Sequence, residues 1–116
     1  MHMASVRSIL ALRGRGYAAY CAAKGGLITM CRQLAAEWAP HAITVNTIAP
    51  TFIRTEQVGA MLRDPEFYSN LVARIPLGRI GEPDDVMSAV LFLVSPAAAF
   101  ITGHMLSLDG GLTVTQ

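Results

Sequence analysis

The chain has 116 residues, a formal net charge of +1, 53% apolar residues and only 15% charged ones. Soluble domains average about 25% charged residues; the apolar excess argues against intrinsic disorder, and the charge balance argues against a nucleic-acid or acidic-membrane footprint. Cys21 and Cys31 are too few for a disulfide scaffold, no apolar run reaches a membrane span and the N-terminus carries no signal-peptide pattern, so a reduced, cytoplasmic setting is expected.

The length permits one domain, residues 1–116. So few charges leave part of the apolar surface to be covered by something else, either a second copy or a further piece of the fold.

Met1 to Ser5 reads either as the tail of a strand or in part as a cloning remnant. Arg13-Gly14-Arg15-Gly16 is a glycine-rich, charged loop. From Ala18 to Ala39 the apolar spacing (Leu27, Ile28, Cys31, Leu34, Ala35, Trp38) is helical, and Pro40 stops it. Ile43 to Ala49 is a run of β-branched residues that predicts a strand, ended by Pro50. Residues 51–82 form a long excursion with short helices predicted near Gln57–Arg63 and Pro65–Arg74. Glu82-Pro83-Asp84-Asp85 marks a helix start, and the helix Asp84–Val94 is apolar almost all round, which predicts burial on more than one side. Pro96 ends it. His104 to Leu108 reads as a short strand closed by the turn Asp109-Gly110-Gly111. Strand–helix–strand alternation predicts an α/β fold, a parallel sheet covered by helices with right-handed crossovers.

The strongest chemical signal is Tyr20-Cys21-Ala22-Ala23-Lys24. A tyrosine and a lysine four apart share a helix face. A phenol ordinarily titrates near 10, and a neighbouring ammonium favours its anion. A phenol so tuned can hand a proton to a carbonyl oxygen or take one from an alcohol. Spacing alone does not separate this pair from a solvated helix face. His2, His41 and His104 show no metal-ligand spacing, so no metal site is expected.

Gly16-Tyr17-Ala18-Ala19-Tyr20-Cys21-Ala22-Ala23-Lys24 resembles the catalytic segment of the short-chain dehydrogenase/reductase family. The remaining motifs follow in that family's order. Ile43 to Pro50 is similar to its sixth strand, Pro50-Thr51-Phe52-Ile53-Arg54-Thr55 to its Pro-Gly-x-Ile-x-Thr loop, Pro76 to Val86 to its post-lid segment, and Ile101 to Gly111 to its last strand and turn. The resemblance covers essentially the whole chain and extends to 3-oxoacyl-carrier-protein reductases and gluconate or glucose dehydrogenases.

The resemblance implies the C-terminal half of a Rossmann-type parallel sheet with flanking helices and a helical lid at about 51–82. It implies NAD or NADP as cofactor and a small alcohol or carbonyl substrate. By the same resemblance Tyr20 is the general acid/base, and Lys24 holds the nicotinamide ribose and tunes Tyr20. Ile53 meets the carboxamide through its backbone, Thr55 through its hydroxyl, and Pro50 packs by the ring. The family's substrate-binding serine lies thirteen residues before the tyrosine, where this chain has Arg7. Ser5, with a two-residue loop insertion, is the expected counterpart, and Ser8 the alternative. Thr51 stands where the family has glycine. The family's first strand, its glycine-rich phosphate turn and its helix-borne asparagine have no counterpart here, so two expectations follow. One is an oxidoreductase that assembles as a dimer or tetramer. The other, the state expected of the isolated 116 residues, is a catalytically inactive fragment that acts only as an oligomeric structural module.

Overall fold

A computed structural model describes residues 1–14 and 16–115. The elements are β1 (His2–Met3), α1 (Ala18–Trp38), β2 (Thr47–Pro50), α2 (Glu56–Leu62), α3 (Pro65–Val72), α4 (Pro83–Leu93) and β3 (Met105–Leu108), joined by single 3-10 turns such as Val6–Ser8. The three strands form one parallel sheet in the order β1-β2-β3, with Thr47 opposite both His2 and Met105. The expected α/β class with flanking helices is therefore what the chain adopts. Of the expected Arg13–Gly16 loop, Arg15 lies outside the described residues, while Gly14 takes a positive φ of 73°.

β2 is the centre. Its Thr47, Ile48 and Ala49 are at most 1% exposed, as a strand covered on both faces requires. Alternation sends neighbours to opposite faces. Ala49 packs with Ala4 and with Ile28 of α1, while Ile48 packs with Leu93 of α4 and Ala98. A third cluster, Val6, Leu71, Ile75, Ile80 and Leu112, sits under the helical excursion.

Two expectations are corrected. The strand starts at Thr47 rather than Ile43. Ahead of it, the Asn46 and Val45 carbonyls still accept from the His2 and Gly103 amides (2.9 and 2.7 Å), but side chains make part of the pairing. Asn46 Nδ2 donates to the Ile101 carbonyl (2.7 Å), its Oδ1 accepts from the His104 amide (3.1 Å), and the Thr102 hydroxyl accepts from the Val45 amide (3.0 Å). The second correction concerns α4. Only its sheet-facing side is covered; Met87, Leu91 and Phe92 are 53%, 61% and 43% exposed, and beyond its end Val94 and Phe100 are open as well. The radius of gyration, 15.3 Å, exceeds the roughly 13 Å of a compact chain of this length, in keeping with this thin, three-stranded body.

The excursion is closed at its base. Ile53 bridges Gly81, Arg54 pairs with Glu82 (2.9 Å), and Arg79 forks onto Asp85 (2.6 and 2.9 Å). Asp85 also accepts from the Glu82 amide (2.8 Å), which completes a capping box on α4. Arg79 and the Glu82 amide hold the Asp85 carboxyl well below the usual carboxylate range.

The turn after β3 rests on Asp109. Burial acts to raise its pKa, but hydrogen bonds from the Thr113 hydroxyl (2.6 Å) and the Thr113 and Gly111 amides (2.9 and 3.0 Å) prevail and lower it. Gly110 and Gly111 both take positive φ there, and a Cβ on Gly110 would press on Ile75. A folded-state pKa below the unfolded value near 3.9 stabilises the fold above that pH, and the gain fades as the pH falls through the folded value. Asp109→Asn is therefore expected to destabilise by about 1.5–3 kcal/mol at neutral pH. Urea melts should show the gap to wild type closing below about pH 4.

Candidate active site

A cavity of about 730 Å³ opens at the C-terminal ends of β1 and β2. Parallel sheets place their ligands at this end. Ser5, Arg7, Tyr17, Tyr20, Pro50, Thr51, Ile53 and Thr55 line it, and Val58 and Met61 of α2 face it from the excursion.

Ser5 is buried immediately after β1 and caps the following 3-10 turn by accepting from the Arg7 amide (3.2 Å). Ser8 does not reach the cavity wall. Its hydroxyl donates to the Ser5 carbonyl (2.5 Å) and lies 3.7 Å from the Met105 sulfur. The two serines thus have different surroundings, Ser5 on the cavity wall and Ser8 against the Met105 sulfur.

Tyr20 sits in the first turn of α1, partly exposed, with the Tyr17 ring 6.1 Å away. Lys24 stands behind it. Its Nζ lies 5.8 Å from the Tyr20 ring centroid and donates to the Met3 carbonyl (2.9 Å), so one β1 contact sets the position of the cation. An ammonium has three donors, and this contact engages one.

Among the described residues, several wall groups have no internal partner. Gly81 donates to the Phe52 carbonyl and accepts from the Arg54 amide, so the amide and carbonyl of Ile53 between them face the other way. Thr55 is the N-cap of α2, yet its hydroxyl makes no capping bond. The Thr51 hydroxyl is buried without a partner, and Thr51 is not among the residues with positive φ, so its side chain replaces glycine without backbone strain. A backbone donor–acceptor pair and two hydroxyls without partners match the needs of a planar carboxamide and its sugar. The residues present therefore fit the nicotinamide end of a dinucleotide.

Sequence reasoning missed Arg7 and Tyr17 as wall residues. A count back from Tyr20 puts Arg7 in the serine's slot, and the Tyr–Lys spacing does not involve Tyr17, so neither position marks a wall residue. Cys21 and Cys31 are both free thiols, and burial pushes the Cys31 thiol up. No described helix is long and apolar enough to cross a membrane.

A family model described as enoyl-(acyl carrier protein) reductase matches residues 1–113. The chain is 39% identical over 114 residues to galactitol 2-dehydrogenase (L-tagatose-forming) of Cereibacter sphaeroides, covering 98% of this chain and 45% of that protein. Among solved structures, a 4-hydroxyisoleucine dehydrogenase complexed with NADH superposes with a TM-score of 0.92 at 36% identity, over 98% of this chain and 46% of that one. A gluconate 5-dehydrogenase from Burkholderia cenocepacia, in complex with NADP and tartrate, gives 0.88 at 38% identity, over 97% and 43%. The chain thus spans less than half the length of these relatives. With five ordered motifs, a matching parallel sheet and these likenesses together, the chain belongs to the short-chain dehydrogenase/reductase family.

Proposed function

We propose that the cavity receives the nicotinamide end of NAD or NADP beside a small alcohol or carbonyl compound, and that Tyr20 moves the proton of the redox step. The bound cofactor supplies or accepts the hydride. The chain's residues do the rest. The Tyr20 phenolate takes the proton of the alcohol oxygen in oxidation, and the phenol so formed returns it to the carbonyl oxygen in reduction. Ser5 Oγ, on the same wall, holds that oxygen. Lys24 keeps two donors beyond its Met3 bond for ribose hydroxyls and places positive charge beside the Tyr20 ring. Ile53 meets the carboxamide through its backbone and Thr55 through its hydroxyl, while Pro50 packs against the ring. Residues 51–82 act as a lid, with Val58 and Met61 excluding water. The relatives' names support this class of reaction: a galactitol 2-dehydrogenase, a gluconate 5-dehydrogenase in complex with NADP and tartrate, and a 4-hydroxyisoleucine dehydrogenase complexed with NADH.

The observation that carries the reading is the convergence of Ser5, Tyr20 and the partnerless Ile53, Thr51 and Thr55 groups on one cavity. Calorimetric titration with NADH and NADPH tests it. Micromolar binding is expected; no binding at millimolar nucleotide contradicts it.

The open apolar face of α4 favours a second reading, a module that acts through self-association in the cytoplasm as a dimer or tetramer. Sedimentation that stays monomeric at high concentration would remove it.

A further inference from the structure

Arg7 is 9% exposed, and it lines the cavity together with Ser5 and Tyr20. Buried arginines ordinarily sit against a carboxylate, because an uncompensated charge is expensive to desolvate. Among the described residues Arg7 has no such partner. Its Nη1 donates to the Leu10 and Ala11 carbonyls, both at 3.2 Å. Arg54 and Arg79 are paired elsewhere, with Glu82 and Asp85. The charges that act on Arg7 are those of Arg74, of like sign, and of the weak acids Cys21, Tyr17 and Tyr20. Burial and Arg74 both push its pKa down, yet a guanidinium stays protonated at neutral pH. Two neutral carbonyls orient the group and engage one of its three nitrogens. Among the described residues no carboxylate compensates the charge, which stands beside a wall that includes Val58, Met61 and Phe52.

We propose that Arg7 is the anion-reading residue of this cavity, and that the alcohol handled at Tyr20 carries a carboxylate. This substrate class rests on the oxidoreductase reading above. A planar guanidinium suits a planar carboxylate, and its single charge balances a single one, whereas a phosphate monoester at neutral pH brings nearly two. In low-dielectric surroundings such a pair is worth more than at an open surface. Ser5 and Tyr20 then hold the reacting oxygen, and Arg7 fixes which end of the hydroxy acid faces it.

The test compares D-gluconate with sorbitol, a neutral polyol of the same chain length. Each is titrated calorimetrically into the wild-type chain, with and without NADP. Gluconate is expected to bind at least about tenfold more tightly than sorbitol, and Arg7→Met to weaken gluconate by about 10- to 100-fold so that the gap closes. Arg7→Lys should restore part of it. Equal wild-type affinities overturn the proposal by themselves, which matters because Arg7→Met also removes two loop hydrogen bonds. A gap that survives Arg7→Met overturns it too. The two readings fail separately. A gluconate preference lost with Arg7 in a chain that turns nothing over contradicts the redox reaction and keeps the anion site. Turnover of alcohols without such a preference does the reverse.

Discussion

Tyr20→Phe is expected to lower kcat/KM for alcohol oxidation by about 10²- to 10⁴-fold, the usual contribution of one positioned acid–base group. The substitution deletes a single oxygen. The ring stays, and so do its neighbours, the Tyr17 ring 6.1 Å away and the Lys24 ammonium 5.8 Å from the ring centroid. Tyr20 lies at the surface of α1 rather than in any of the core clusters described, so melting behaviour and nucleotide affinity should not change. Initial rates of NAD(P)H formation, set beside calorimetric nucleotide binding, separate the two effects. Retained turnover removes Tyr20 from the mechanism.

Ile48→Ala is expected to produce the largest loss of stability, about 2–5 kcal/mol. Ile48 is fully buried in the middle of β2, between Leu93 of α4 and Ala98, and it pairs with Met3 on one side and Leu106 on the other. In a three-stranded sheet there is little surrounding layer to collapse into the space left behind. A chain of this length has a total stability of only about 6–17 kcal/mol. The urea midpoint should therefore fall steeply with an unchanged slope. A shift below about 1 kcal/mol would mean that α4 does not pack on β2 as described.

Much of this was legible in the residues themselves. α1 was clear because its apolar spacing runs unbroken to Pro40, and α3 because Pro65 opens its first turn. The early start expected for β2 failed at Asn46 and Thr102. β-propensity registers the branched residues but not the side chains that share the pairing with the backbone across 55–58 positions of sequence. α4 misled for another reason. Hydrophobicity reports what a face is made of, not what covers it, and Met87 and Leu91 are apolar and open. At the site, Tyr20, Lys24, Ile53 and Thr55 came from motif order. Ser5 and Ser8 differ only in which way a 3-10 turn points them, a distinction that spacing cannot carry. Arg7 was hidden for the same reason: a count backward from Tyr20 puts it in the serine's slot, while the fold puts it on the cavity wall beside the serine.

The central claim is that this cavity holds a nicotinamide ring against Tyr20. Saturation-transfer NMR on NADH mixed with the chain tests it at the level of single protons. The account predicts the strongest transfer to the nicotinamide ring protons, with that signal weakened when Thr55 and Lys24 are replaced by Val and Met. Transfer confined to the adenine protons, or none at all, would contradict it.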